Sequence, residues 1–165
     1  MKNLSCRQLN LAGFFACAGM MAYALYAEKV LLLMPCPLCV LQRMAVIALG
    51  IVFLVAALHN PGTLGRRTYA VLLLLASGAG IGIAGRHVWL QHLPPDQVPA
   101  CGGAGYDYLM ETLPFTEALA VIFTGSGECA AIDWQFLGLS MPAWVIIAVA
   151  VTGLAGIWNN LREAR

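Results

Sequence analysis

Apolar residues gather in four long blocks along this chain instead of alternating with polar ones. The first opens with "LAGFFACAGMMAYALYA" and extends over about 11–31, across Glu28 and Lys29; the others cover about 39–58, 68–90 and 142–158. Each approaches the roughly 20 residues that a helix needs to cross about 30 Å of hydrocarbon. Backbone N–H and C=O groups in lipid must be satisfied within the segment, so each block is expected to be helical. The pattern therefore predicts an all-α membrane protein, a four-transmembrane-helix bundle forming one integral domain over 1–165. A long loop at about 91–141 is expected outside the bilayer. A cleaved signal peptide is the other reading of the first block, because Lys2 and Arg7 precede it. Its length and the three later blocks favour a retained span.

Inside the long loop the pattern changes. "LPFTEALAVIF" (113–123) puts Pro114 in a first helical turn and Phe115, Leu119, Ile122 and Phe123 on one face. About eleven residues cannot cross a bilayer, so a short interfacial helix is expected, with burial beneath the loop as the alternative.

Charge sets the orientation. The chain is 165 residues, 61% hydrophobic and 10% charged, against about 25% charged in soluble domains. A net charge of +1 without a basic cluster gives no case for nucleic-acid binding, and no such partner is expected. Lys2 and Arg7 precede the first block, Arg66 and Arg67 lie between the second and third, and Arg162 and Arg165 close the chain. Positive residues favour the cytoplasmic side, so both termini and the middle loop are expected there. From His87 to Leu161 there is no Lys or Arg, yet Asp96, Asp107, Glu111, Glu117, Glu128 and Asp133 occur, which puts the long loop outside. Trp89, Trp134, Trp144 and Trp158 fall at the ends of the last two blocks, where indoles favour the interface.

On this topology four of the six cysteines, Cys36, Cys39, Cys101 and Cys129, lie outside, where disulfides persist. Cys6 is cytoplasmic and Cys17 is a small buried hydrophobe. A two-residue spacing closes a small, reducible ring, so Cys36 and Cys39 read as redox-active. Pro35 and Pro37 hold them on a stiff turn. Cys101 and Cys129 are expected to pair. The bridge is either a structural staple or, given the glycine-rich "CGGAGYDY" and "GSGEC", a mobile bridge suited to thiol exchange. A four-cysteine zinc site is the rival, disfavoured because Cys101 and Cys129 lack closely spaced partners; no resident metal is expected.

Arg43 follows Cys39 by one helical turn. It either favours the thiolate and a polar ligand or snorkels to the interface. His87 near the outer end of the third block is an intramembrane ionisable group or a solvated interfacial one. Electrons at Cys36 and Cys39 need an acceptor, and the chain has no C-x-x-C-H and no paired histidines in its spans for haem. "GIGIAG" (80–85) fits a dinucleotide motif but sits in a transmembrane run, where small-residue packing accounts for it. A lipid-soluble quinone is the economical acceptor.

With "PCPLCVLQR", "RHVWLQ", the Cys101 loop and "SGECAAIDWQFLGLSMPAW" in order, the whole chain resembles the DsbB family. These are inner-membrane thiol:quinone oxidoreductases of bacteria that reoxidise the periplasmic oxidase DsbA. The resemblance implies that Cys36 and Cys39 give electrons to quinone, with the Cys39 thiolate meeting the quinone ring. It implies that Arg43 and His87 bind the quinone, ubiquinone or menaquinone. It implies too that Cys101 forms the mixed disulfide with a DsbA-like thioredoxin-fold partner and that Cys129 is paired with Cys101. The competing readings are a non-catalytic four-helix membrane protein with structural disulfides and a homologous oxidase with another donor.

Overall fold

A computed structural model describes residues 5–94, 96–97 and 127–162. Cys101 and the helix expected at 113–123 lie outside the described residues. Among those described, the long elements are α1 (Cys6–Lys29), α2 (Pro37–His59), α3 (Thr63–Gln91) and α4 (Met141–Leu161). All four are long and apolar enough to cross a membrane, and the chain is a four-helix membrane bundle.

Helix ends are set by local polar chemistry as well as by the apolar blocks. α1 starts at Cys6, ahead of its block. The Gln8 N–H donates to Ser5 Oγ (3.2 Å) while the Ser5 N–H donates to Gln8 Oε1 (2.9 Å), a reciprocal cap that satisfies two otherwise orphaned donors. α2 opens with Pro37 at its first position, where no N–H is needed. Its N-cap is Cys36, whose Sγ accepts the Cys39 N–H at 3.3 Å. Between α1 and α2 the chain turns through Leu32, which has φ +56°. α2 ends on Asn60 in the left-handed region, a conformation asparagine tolerates.

α1 packs chiefly on α2 and α3 on α4, and the α2–α3 contact joins the two pairs. Cys17, Val46, Leu49, Phe53, Leu73 and Val149 form the central core. The Phe53 ring fits between α1 and α4 because glycine faces it on both. A Cβ at Gly13 would meet the ring at 2.7 Å and one at Gly156 at 2.4 Å. Such small-residue approaches drive helix packing in lipid. In "GIGIAG" only Gly80 faces a neighbouring helix, and a Cβ there would make ordinary contact with Val149 at 3.4 Å, whereas Gly82 and Gly85 have nothing within 4 Å.

At one end of the bundle, Asn10 and Asn160 exchange hydrogen bonds (2.9 and 3.3 Å) and Asn159 Nδ2 donates to the Cys6 carbonyl (3.0 Å). The start of α1 and the end of α4 thus share that end. At the other end Ser140 Oγ donates to Gln91 Oε1 (2.7 Å), joining the foot of α4 to the end of α3. Just before α4 the chain makes a small antiparallel hairpin, β1 (Gln135–Phe136) and β2 (Leu139–Ser140). The helical pattern did not anticipate it. Leu137 and Gly138 both have positive φ, as the twist of a two-residue hairpin requires. Trp134 stacks on Phe136, and Trp144 Nε1 donates to the Phe136 carbonyl (3.0 Å), which fixes the hairpin on α4.

Candidate redox site

The hairpin end of the bundle also gathers the thiols. Proline at the start of α2 and Cys36 at its cap place Cys36 and Cys39 on the first turn, their sulfurs 2.8 Å apart. Closing a disulfide, at about 2.05 Å, needs a sub-ångström approach of the two atoms. Cys36 is buried and Cys39 half-buried.

Tertiary packing brings three further groups to this pair. Cys129, at the end of a 3-10 turn (Gly127–Cys129), is fully buried and packs with Cys36, Leu38 and Leu90. Its thiol hydrogen-bonds with that of Cys36; this bond, the one with Cys39 and burial push the Cys36 thiol well above its ordinary range. His87, 3% exposed on α3, sets Nε2 3.8 Å from Cys36 Sγ and also hydrogen-bonds Cys39. On its far side Gln42 Nε2 donates to His87 Nδ1 at 2.8 Å. A carboxamide can turn either its N–H or its carbonyl to that nitrogen, so Gln42 suits either tautomer. Arg43 faces α1: its guanidinium pairs with the Glu28 carboxylate and donates from Nη2 to the Ala24 carbonyl (3.2 Å).

Cys36, Cys39, Gln42, Arg43 and His87 border a cavity of about 340 Å³, within the range of about 300–1,000 Å³ usual for small-molecule pockets. Met20, Met21 and Val145 supply apolar wall, while Gln42, Arg43 and His87 supply polar groups beside the two thiols.

Of the residues the sequence singles out, Cys36, Cys39, Cys129, Arg43 and His87 stand together, and Cys101 lies outside the described residues. Cys6 is at the opposite end and Cys17 is in the core. The expected closeness of Arg43 to the thiols takes a different form, because its guanidinium is engaged by Glu28 and it meets Cys39 only as a fellow wall of the cavity. Sequence reasoning missed Gln42 and Glu28. Gln42 lies inside "PCPLCVLQR", and Glu28 carried a readable signal, since a carboxylate within an apolar span needs a partner.

Four membrane-crossing helices with a buried thiol cluster at one end define a disulfide-forming membrane oxidoreductase. The chain belongs to the DsbB family: residues 6–159 match the family described as Disulfide bond formation protein DsbB. It is similar to Disulfide bond formation protein B of Nitrosococcus oceani, 52% identical over 94% of this chain and 92% of that protein. The protein of that name from Methylobacillus flagellatus is 51% identical, covering 88% and 87%. That of Saccharophagus degradans is 45% identical, covering 97% and 96%.

Proposed function

We propose that this chain draws electrons from the dithiol of a DsbA-like thioredoxin-fold oxidase in the periplasm and passes them to a membrane quinone. It would do so in the bacterial inner membrane with both termini cytoplasmic. A thiolate of the partner attacks the Cys101–Cys129 disulfide and forms a mixed disulfide at Cys101, which the partner's second thiol resolves; the partner leaves oxidised. Cys129 then exchanges with the Cys36–Cys39 disulfide: its thiolate attacks Cys36, Cys39 leaves as thiolate, and Cys101 resolves the Cys36–Cys129 bond. The result is a re-formed Cys101–Cys129 bridge and a reduced Cys36–Cys39 pair.

A quinone, when bound, supplies a two-electron, two-proton acceptor for that pair. The cavity fits such a group: its apolar wall suits a ring and lipid tail, and Arg43 and His87 offer N–H donors to carbonyl oxygens. His87 with a proton on Nε2, held by the Gln42 N–H on Nδ1, favours the leaving thiolate and orients it. Arg43, kept against α1 by Glu28, presents positive charge on the cavity wall.

One observation carries this reading. Buried Cys129 touches Cys36 and both Cys36 and Cys39 line the cavity, so the pair stands between a thiol that can deliver electrons and a pocket that can hold their acceptor. The test is purified protein with quinone and a reduced DsbA-like donor, followed by quinone absorbance. Quinone should be consumed, and Cys36→Ser or Cys39→Ser should abolish its consumption. Full activity in either variant, or no quinone reduction by the unmodified chain, refutes the proposal. A non-catalytic protein with structural bridges would keep its cysteines oxidised under the same challenge.

A further inference from the structure

The sulfurs of Cys36 and Cys39 and a ring nitrogen of His87 all lie within 4.8 Å of one another, at 8% exposure for Cys36 and 3% for His87. Two thiols and an imidazole converging on one point are a donor set for zinc-like cations. Zn–S bonds of about 2.3 Å and Zn–N bonds of about 2.0–2.1 Å put tetrahedral ligand atoms roughly 3.5–3.8 Å apart. Cys36 Sγ and His87 Nε2, 3.8 Å apart, already have that spacing. Cys36 and Cys39, at 2.8 Å, would open by about 1 Å to reach it.

The surroundings complete the set. A ligating imidazole usually donates its other N–H to an oxygen that fixes ring and tautomer. Gln42, 2.8 Å from His87 Nδ1, does this by turning its carbonyl to that nitrogen, which leaves the Nε2 lone pair facing the sulfurs. A fourth position opens on the cavity of about 340 Å³, with room for water. Three protein ligands and one open position is the pattern of accessible zinc sites, not of closed structural ones.

We propose that the reduced site binds one zinc-like divalent cation through Cys36, Cys39 and His87, and that the oxidised site does not. Binding replaces two thiol protons, which are released, and moves no electrons. Oxidation to the disulfide removes two of the three ligands, so the site is gated by redox state. This differs from a four-cysteine zinc centre, because His87 is a ligand and Cys101 is not. While the cation holds both sulfurs they cannot form a disulfide, so it inhibits turnover. That inhibition rests on the function proposed above, whereas the binding does not.

The test uses the full chain in detergent, reduced with a phosphine and titrated with Zn²⁺ against a chromophoric chelator. One Zn²⁺ per chain is expected. The Kd should rise at least tenfold in His87→Ala and roughly 10–100-fold in Gln42→Leu, while Cys6→Ser leaves it unchanged. Oxidation with diamide should remove binding. X-ray absorption at the zinc edge of the unmodified chain guards against a misfolded variant, and it should give two sulfur ligands and one imidazole. An all-sulfur shell, a Kd unmoved by His87→Ala, or binding that survives oxidation overturns the proposal. A chain that binds zinc as described but never reduces quinone would refute the catalytic reading and leave the metal site standing.

Discussion

Removing the Arg43 side chain separates ligand binding from helix anchoring. The guanidinium pairs with Glu28 and donates to the Ala24 carbonyl, and both charged side chains are about 20% exposed. Arg43→Ala does not leave Glu28 alone, since Lys29 Nζ stands 3.0 Å from its other oxygen. The lost pair sits at the solvent edge, so the stability loss is small. A guanidinium N–H donated to a quinone oxygen inside the cavity is worth more. Hydrogen bonds to charged groups contribute about 1.5–3 kcal/mol, roughly a ten- to hundredfold rise in apparent KM. Initial rates measured against quinone concentration, at saturating reduced donor, should show that rise with a smaller change in kcat. Glu28→Gln, whose amide oxygen can still accept from the guanidinium, should move KM by only a few fold. An unchanged KM in Arg43→Ala would refute a ligand-binding role and leave Arg43 as an anchor between α1 and α2.

Gln42→Leu strands His87 Nδ1 in a buried setting, which costs about 1–3 kcal/mol. Turnover should fall at least several-fold and the pH profile of kcat should shift, whereas a purely structural role would lower Tm and leave the profile in place. Gly156→Ala places a Cβ 2.4 Å from the Phe53 ring. Overpacking of this kind costs about 1–3 kcal/mol, read as a lower Tm, while Gly19→Ala, which meets nothing within 4 Å, should be neutral or slightly stabilising. The raised Cys36 thiol gives the reduced chain a pH dependence. The folded state favours the protonated thiol, so this contribution is complete below the ordinary thiol value of 9.0 and declines as pH rises beyond it. Thermal unfolding of reduced protein between pH 7 and 10 should show the decline, and Cys36→Ser should lack it.

The sequence by itself determined the bundle. Bilayer thickness dictates span length and lipid dictates helix, so four apolar blocks of the right size leave little choice of architecture. The Cys36–Cys39 pair was legible for a similar reason, because two-residue spacing and flanking prolines are local facts about ring closure and turn geometry. The hairpin before α4 was not, because two-residue strands around Leu137 and Gly138 carry too little pattern to stand out. Nor did the sequence give the neighbours of the pair. Gln42 and His87 are 45 residues apart, and Cys36 and His87 are 51 apart; only the α2–α3 packing decides which faces meet. That Cys129 lies against Cys36 was not legible either, and tertiary structure set it there; Cys101, its expected partner, lies outside the described residues. The direction of Arg43 was likewise undecided by spacing, which allowed the thiol or the interface. The Glu28 carboxylate on α1 decided it, because a guanidinium at the membrane boundary is held most firmly by an opposite charge within reach.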